Sequence, residues 1–137
     1  MDGASKRWGS ELRQRPLAPS KPRPIVCIGA GGIVHDAHLP AYRAAGLPVA
    51  GVFDPLPERA RSAVERFGLP RAFASFEEAV ATPNVVFDVA VPPSEVLRVV
   101  ERLPAGSAAL LQKPLGLDLA EATRIRAACR ARNITAA

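Results

Sequence analysis

Long apolar runs, aromatic side chains, histidines and cysteines are all scarce in this 137-residue chain. No apolar stretch approaches the ~20 residues a membrane-spanning helix needs. The longest are strand-length, such as Val85-Val86-Phe87 and Ala108 to Leu111. The N-terminus is basic, but no apolar segment of the secretory kind follows it, so a cytoplasmic protein without membrane attachment is expected. The two cysteines, Cys27 and Cys129, make no disulfide framework and share no metal-ligand spacing. Cys27 sits in an apolar run and Cys129 on the apolar stripe of a predicted helix, so both read as buried free thiols. The two histidines, His35 and His38, flank Asp36 with no third ligand nearby. That pattern speaks against a metal site and for packing or exposure at a helix start. No Ser-His-Asp or Cys-His arrangement is suggested.

A net charge of +5 points at first to nucleic acid. Its distribution points elsewhere. Residues 1–24 hold six Lys or Arg against Asp2 and Glu11, whereas the rest of the chain holds twelve basic and eleven acidic residues. The folded part is therefore close to neutral. Trp8 stands alone in the basic segment, without the aromatic interleaving that single-strand binding uses. Residues 1–23, with Pro16, Pro19 and Pro22 among Ser, Lys and Arg, are expected to be a disordered basic leader. One domain is expected over residues 24–137.

Within that domain, strand, turn and helix patterns alternate. Ile25 to Ile28 is a short continuous apolar run, as in a strand buried on both faces. A helix is predicted over Ile33 to Ala45, ending at Gly46, with Pro40 making its early part irregular. Val49 to Phe53 is a strand, and Pro57 to Phe67 a helix ending at Gly68. A short strand is expected near Ala72-Phe73. Ser75 and Glu78 form a capping box opening another helix. Val85 to Val91 is a strand, Ser94 to Leu103 a helix with Val96, Val99, Val100 and Leu103 on one face, and Ala108 to Leu111 a strand. Asp118 and Glu121 form a second capping box, for a helix to about Arg132 with Leu119, Ala122, Ile125 and Cys129 as its stripe. Ile134 to Ala137 looks like a sixth strand cut short. This alternation predicts an α/β, doubly wound parallel sheet of the Rossmann type, in the order 3-2-1-4-5 with the sixth strand truncated.

Four segments fall at one edge of such a sheet, where these folds bind ligands. Gly29-Ala30-Gly31-Gly32-Ile33 follows the first strand and opens the first helix. Gly29 allows a tight turn, Gly31 allows backbone to approach a pyrophosphate, and the helix start offers free N–H groups. The third small residue of the usual fingerprint is Val34 here. Asp54 closes the second strand, where a carboxylate accepts the adenosine ribose hydroxyls and repels a 2′-phosphate; NAD is thereby favoured over NADP, with Arg59 and Arg61 softening the preference. A turn residue before Pro55 is the plainer reading of Asp54. Val91-Pro92-Pro93 ends the fourth strand and Gln112-Lys113-Pro114 follows the fifth. Lys113 is placed to reach a nicotinamide or a substrate hydroxyl; read alone it is equally a surface lysine.

Taken together, Gly29 to Ile33, Asp54, Pro92-Pro93 and Gln112-Lys113-Pro114-Leu115 resemble the N-terminal half of the Gfo/Idh/MocA oxidoreductases. The opening Ala37-His38-Leu39-Pro40-Ala41-Tyr42 is similar to that family's first helix. The resemblance covers residues 24–137 and implies NAD(P)-dependent hydride transfer on a sugar, cyclitol or related alcohol. It implies a catalytic role for Lys113 beside the nicotinamide. It also implies cofactor contacts from Gly29, Gly31, Gly32, Ile33, Asp54, Val91, Pro92, Pro93, Gln112 and Lys113. Gln112 stands where the family has glutamate, Val91 where it has threonine and Val96 where it has histidine. The family carries a second domain that supplies substrate contacts and the oligomer interface. The expectation is therefore a chain that binds cofactor without turnover and meets a small-molecule substrate, or its own copies, only through that further domain. Its open sheet edge predicts marginal stability or self-association. A non-catalytic nucleotide-binding module or decayed remnant is the alternative, and a nucleic-acid binder acting through the leader a distant third.

Overall fold

The computed structural model describes residues 17–137. The first sixteen residues of the expected leader lie outside the described residues; Leu17 to Arg23 carry no helix or strand. The continuous apolar run forms strand β1, Ile25–Ile28, buried throughout its length. A π-helical turn, Val34–His38, leads into helix α1, Leu39–Ala44. Strand β2, Val49–Phe53, and helix α2, Pro57–Phe67, follow. Helix α3 spans Phe76–Val80, strand β3 Val86–Val89 and helix α4 Val96–Val100, entered through a 3-10 turn at Pro93–Glu95. Strand β4 is Ala108–Leu111, helix α5 Leu119–Ala131 and strand β5 Thr135–Ala136.

All pairings are parallel, in the order β2-β1-β3-β4-β5. The expected third strand is reduced to a single bridge between Ala72 and Val52, held by Val52 N–H on Arg71 O and Phe73 N–H on Val52 O. Counting that bridge as a strand restores the predicted order. Two cores form. Ile25, Cys27, Val34, Leu39 and Val52 pack under α1 and α2. On the other face, Val26, Ile28, Phe87, Val89 and Ala109 pack against Val96, Val100, Leu103, Ile125 and Cys129. The alternation along β1 assigns successive side chains to opposite faces, as a sheet covered on both sides requires. No helix among the described residues is long and apolar enough to cross a membrane.

Several local expectations change. The helix predicted over residues 33–45 begins as a π turn, with Leu39 N–H donating to Val34 O five residues back. Val34, the branched residue in place of the small one, is completely buried there. The helix predicted from Ser94 starts as a 3-10 turn at Pro93–Glu95, with Glu95 N–H closing on Pro92 O at 2.9 Å. The strand predicted over Val85 to Val91 is shorter, its last residues bending away to line the sheet edge. Leu119 is not on the buried stripe of α5; it is 83% exposed, while Ile125 and Cys129 are buried.

Both capping boxes form in modified geometry. Ser75 Oγ accepts from Glu78 N–H at 3.1 Å and Asp118 Oδ1 from Glu121 N–H at 2.7 Å. The two glutamates reach back one residue beyond the cap, to Ala74 N–H and Leu117 N–H. Each pairing satisfies helix-start donors that would otherwise be orphaned.

Candidate functional site

The parallel topology brings the loops after β1, β2, β3 and β4 to one edge of the sheet. A cleft of about 760 Å³ opens there. Gly29, Gly31, Ile33, Asp54, Val91, Pro92, Gln112 and Lys113 all line it. Gly32 and Pro93 do not, so two of the ten sequence-predicted contact residues fall outside the wall.

The two cleft glycines serve different ends. Gly29 has φ +107° and lies against the end of β3; a Cβ there would stand 2.2 Å from Ala90 O. Its N–H donates to Phe53 O at 2.7 Å, continuing the ladder toward β2. It is glycine because the chain turns where backbone approaches backbone. Gly31, by contrast, has open space where a Cβ would be, with no atom within 4 Å. Its backbone is bare toward the cleft, as close approach of a pyrophosphate requires.

Asp54 is buried at 7% exposure. Its Oδ2 accepts from Ala30 N–H at 2.8 Å and its Oδ1 from Leu56 N–H at 2.9 Å. The carboxylate thus ties the β1 loop to the β2 loop and also makes the turn bond of the plainer reading. An ionised carboxylate offers about four acceptor positions, so two remain for hydroxyl donors in the cleft. Lys113 is exposed and Gln112 half-buried, both just past β4. The Lys113–Pro114 peptide is cis. Gln112 N–H donates to Val89 O at 3.3 Å, which holds this loop beside the Val91-Pro92 turn.

Arginines add a positive rim. Arg59, Arg98 and Arg102 line the cleft, whereas Arg61 does not. Arg98 pairs with Glu95 at 3.6 Å. Arg102 pairs with Glu77 and lies over the Phe76 ring, 4.1 Å from its centroid. The Glu77 carboxyl sits below its ordinary range, through a backbone hydrogen bond first and Arg102 after it.

One titratable cluster was missed from sequence. Asp88 on β3 is completely buried under α1. Its Oδ2 meets His38 Nδ1 at 2.7 Å and receives the Tyr42 hydroxyl at 2.8 Å; Cys27 Sγ is 4.0 Å away. Burial pushes the Cys27 thiol far above its ordinary range, and the Asp88 charge adds to the effect. The Tyr42 hydroxyl is raised by burial and then by the same carboxylate. The signal was an acidic residue in the middle of an otherwise apolar strand. The cluster lies away from the cleft and braces the π turn onto β3. His38 is thus a structural partner, as a helix-start packing role anticipates. Among the described residues no group of His, Cys, Asp and Glu is arranged to hold a metal.

Comparison with known proteins gives a consistent picture. The family described as Gfo/Idh/MocA, an oxidoreductase family with an NAD-binding Rossmann fold, matches residues 23–137. An uncharacterized oxidoreductase of Rhizobium meliloti is 34% identical over 102 residues, 72% of this chain and 30% of that protein. Among solved structures, a UDP-N-acetylglucosamine 3-dehydrogenase of Acidithiobacillus ferrooxidans superposes with a TM-score of 0.70 at 29% identity, over 85% of this chain and 38% of the other. A 3-ketoreductase of Actinomadura kijaniata, solved with TDP-benzene and NADP, gives 0.71 at 27% identity, over 83% and 37%. The chain spans about a third of the length of these relatives.

Proposed function

Because the chain belongs to the Gfo/Idh/MocA oxidoreductase family and spans its NAD-binding Rossmann fold, we propose that it is the cofactor-binding part of an enzyme that moves hydride between NAD(H) and the alcohol carbon of a sugar, cyclitol or related compound. The observation that carries this reading is the cleft that joins Gly29, Gly31, Asp54, the Val91-Pro92 turn and Lys113 at one sheet edge. Those residues fit a dinucleotide. Gly31 presents bare backbone for the pyrophosphate, and Asp54 keeps two acceptor positions for ribose hydroxyls. The nicotinamide ring, when bound, supplies or accepts the hydride.

In this reading Gln112 and Lys113 stand at the reacting end, and the exposed Lys113 ammonium polarises or deprotonates the substrate hydroxyl once a substrate is enclosed. The activity of one structural neighbour, a UDP-N-acetylglucosamine 3-dehydrogenase, supports this substrate class. The chain spans about a third of the length of its relatives, and the reading is that by itself it binds the cofactor without turnover.

A non-catalytic nucleotide-binding module is the second reading. It is favoured by Val96, buried at 1% exposure and thus unable to present a polar group to the cleft. Titration of the chain with NADH, followed by nucleotide fluorescence, tests what both readings share. Saturable binding is expected; no binding at millimolar nucleotide would refute both. Turnover of sugar alcohols by this chain alone would refute the claim that it only holds the cofactor.

A further inference from the structure

Two buried aspartates stand near the cleft, and only one of them lines it. Asp54 ties the loop after β1 to the loop after β2 at the cleft itself. Asp88 is the penultimate residue of β3 and lies outside the cleft lining, as do His38 and Tyr42. What Asp88 holds is the segment that continues from Gly31. The chain runs from Gly31 straight into the π turn, with Val34 N–H donating to Gly31 O at 3.1 Å and His35 N–H to the same oxygen at 3.3 Å. His38 ends that turn, and Tyr42 lies one turn further along, on α1. Both converge on Asp88 Oδ2, at 2.7 and 2.8 Å.

The helical segment after Gly31 has little else to fix its orientation. The π turn has five residues and α1 six, and neither start carries a side-chain cap. Helices this short depend on tertiary ties for their place. Val34 and Leu39 seat the segment in the apolar core under it, but apolar contact is non-directional. The bonds to Asp88 are directional. Two partners one turn apart on a single oxygen fix both the rotation of the helix and its height along β3. That strand leads into Ala90 and Val91, which stand against Gly29, so one carboxylate sets the first loop of the cleft against the third. The other oxygen, Oδ1, is buried with no hydrogen-bond partner among the described residues. For stability alone this is a poor arrangement, because a buried carboxylate with an idle oxygen carries a desolvation cost that an apolar side chain does not. What it contributes is geometry.

We propose that Asp88 is a positioning residue for the nucleotide: acting through His38 and Tyr42, it fixes the backbone of Gly31 to Ile33 where that backbone meets a pyrophosphate. Gly31 and Ile33 line the cleft, and Gly31 is bare toward it. A small rotation of the following helix moves their N–H groups away from a bound phosphate without unfolding anything. The proposal rests on the dinucleotide reading of the cleft and goes beyond it by giving a part in binding to a network that touches no ligand.

The test separates affinity from stability in two variants of the 137-residue chain. Asp88→Val combined with His38→Leu and Tyr42→Phe keeps an apolar seat for the helix and removes its directional bonds. Asp88→Asn keeps an oxygen able to accept from both His38 and Tyr42, and puts an unsatisfied NH2 where Oδ1 was. Urea unfolding gives their stabilities, and calorimetric titration of the folded proteins gives their NADH affinities. The triple variant should be the more stable of the two and yet bind NADH about tenfold more weakly than the unaltered chain, whereas Asp88→Asn should bind within about threefold of it. In spectra of the free proteins, the Gly31 and Ile33 amides should move in the triple variant and stay in place in Asp88→Asn. Adenosine, which has no pyrophosphate, should bind alike to all three. Should the triple variant fail to fold, Tyr42→Phe removes one of the two bonds and should weaken NADH binding about threefold by itself. Unchanged NADH affinity in the folded triple variant, or in Tyr42→Phe where that variant stands in, overturns the proposal and leaves the dinucleotide reading standing. Affinities that simply follow the urea midpoints also overturn it. Failure of the unaltered chain to bind NADH overturns both.

Discussion

Replacing Asp88 with alanine removes the acceptor shared by His38 and Tyr42. The carboxylate is wholly inaccessible and the His38 side chain is 12% exposed. Both donors lose a bond shorter than 2.9 Å. An unsatisfied buried donor costs ~1–3 kcal/mol, and the partial exposure of His38 and Tyr42 lets water recover some of that. We therefore expect about 3 kcal/mol for Asp88→Ala. With a urea slope of about 1.5 kcal/mol/M for a domain of this size, the unfolding midpoint should fall by about 2 M. The comparison that makes this specific is the triple variant Asp88→Val, His38→Leu, Tyr42→Phe. It removes the carboxylate together with its two close hydrogen-bond partners and leaves only the weakly donating Cys27 thiol, so it should be markedly more stable than the single variant. Equilibrium urea unfolding followed by circular dichroism reads both. A shift below about 0.5 M for Asp88→Ala, or a triple variant weaker than the single one, would refute the claim that the network braces the π turn.

The two cleft glycines should separate folding from binding. Gly29→Ala places a methyl group 2.2 Å from Ala90 O at φ +107°; backbone strain and overpacking of ~1–3 kcal/mol each predict a clear fall in melting temperature. Gly31→Ala meets no atom within 4 Å, so it should melt like the unaltered chain and yet bind NADH at least about tenfold more weakly if backbone contact with the pyrophosphate is lost. Equal effects of the two substitutions on melting would contradict this division. The raised Cys27 thiol sets a pH dependence. The folded state holds a proton that the unfolded state releases above about pH 9, so stability is unaffected below that pH and falls above it, by ~1.4 kcal/mol per pH unit. Cys27→Val should flatten that fall between pH 9 and 10 in urea unfolding, and an unchanged slope would contradict it.

Sequence carried the sheet order because continuous apolar runs at regular spacing leave few alternatives once both faces must be covered. The cleft was legible for a related reason: Gly29, Asp54, Pro92 and Lys113 all follow predicted strands, and parallel topology takes every such position to one edge. Gly32 and Pro93 fall outside the cleft lining because membership in a loop does not say which residue faces the cleft. The Val34 irregularity acquired a setting only in three dimensions, where the residue opens a π turn and is completely buried. The Asp88 network escaped because its members lie 46 and 50 residues apart in pairs, and no local pattern links them. Asp54 shows a different limit. Turn residue and ligand acceptor were posed as rival readings, yet its carboxylate already makes the turn bond and still has acceptor positions to spare.

The central claim is that this cleft holds a nicotinamide dinucleotide. Backbone amide NMR of the isotopically labelled chain, titrated with NADH, tests it most directly. The account predicts saturable shifts at Gly29, Gly31, Asp54 and Lys113, with the amides of Ile125 and Cys129, buried on α5 outside the cleft lining, unmoved. Absence of shifts at millimolar NADH, or shifts confined to residues away from the sheet edge, would contradict it.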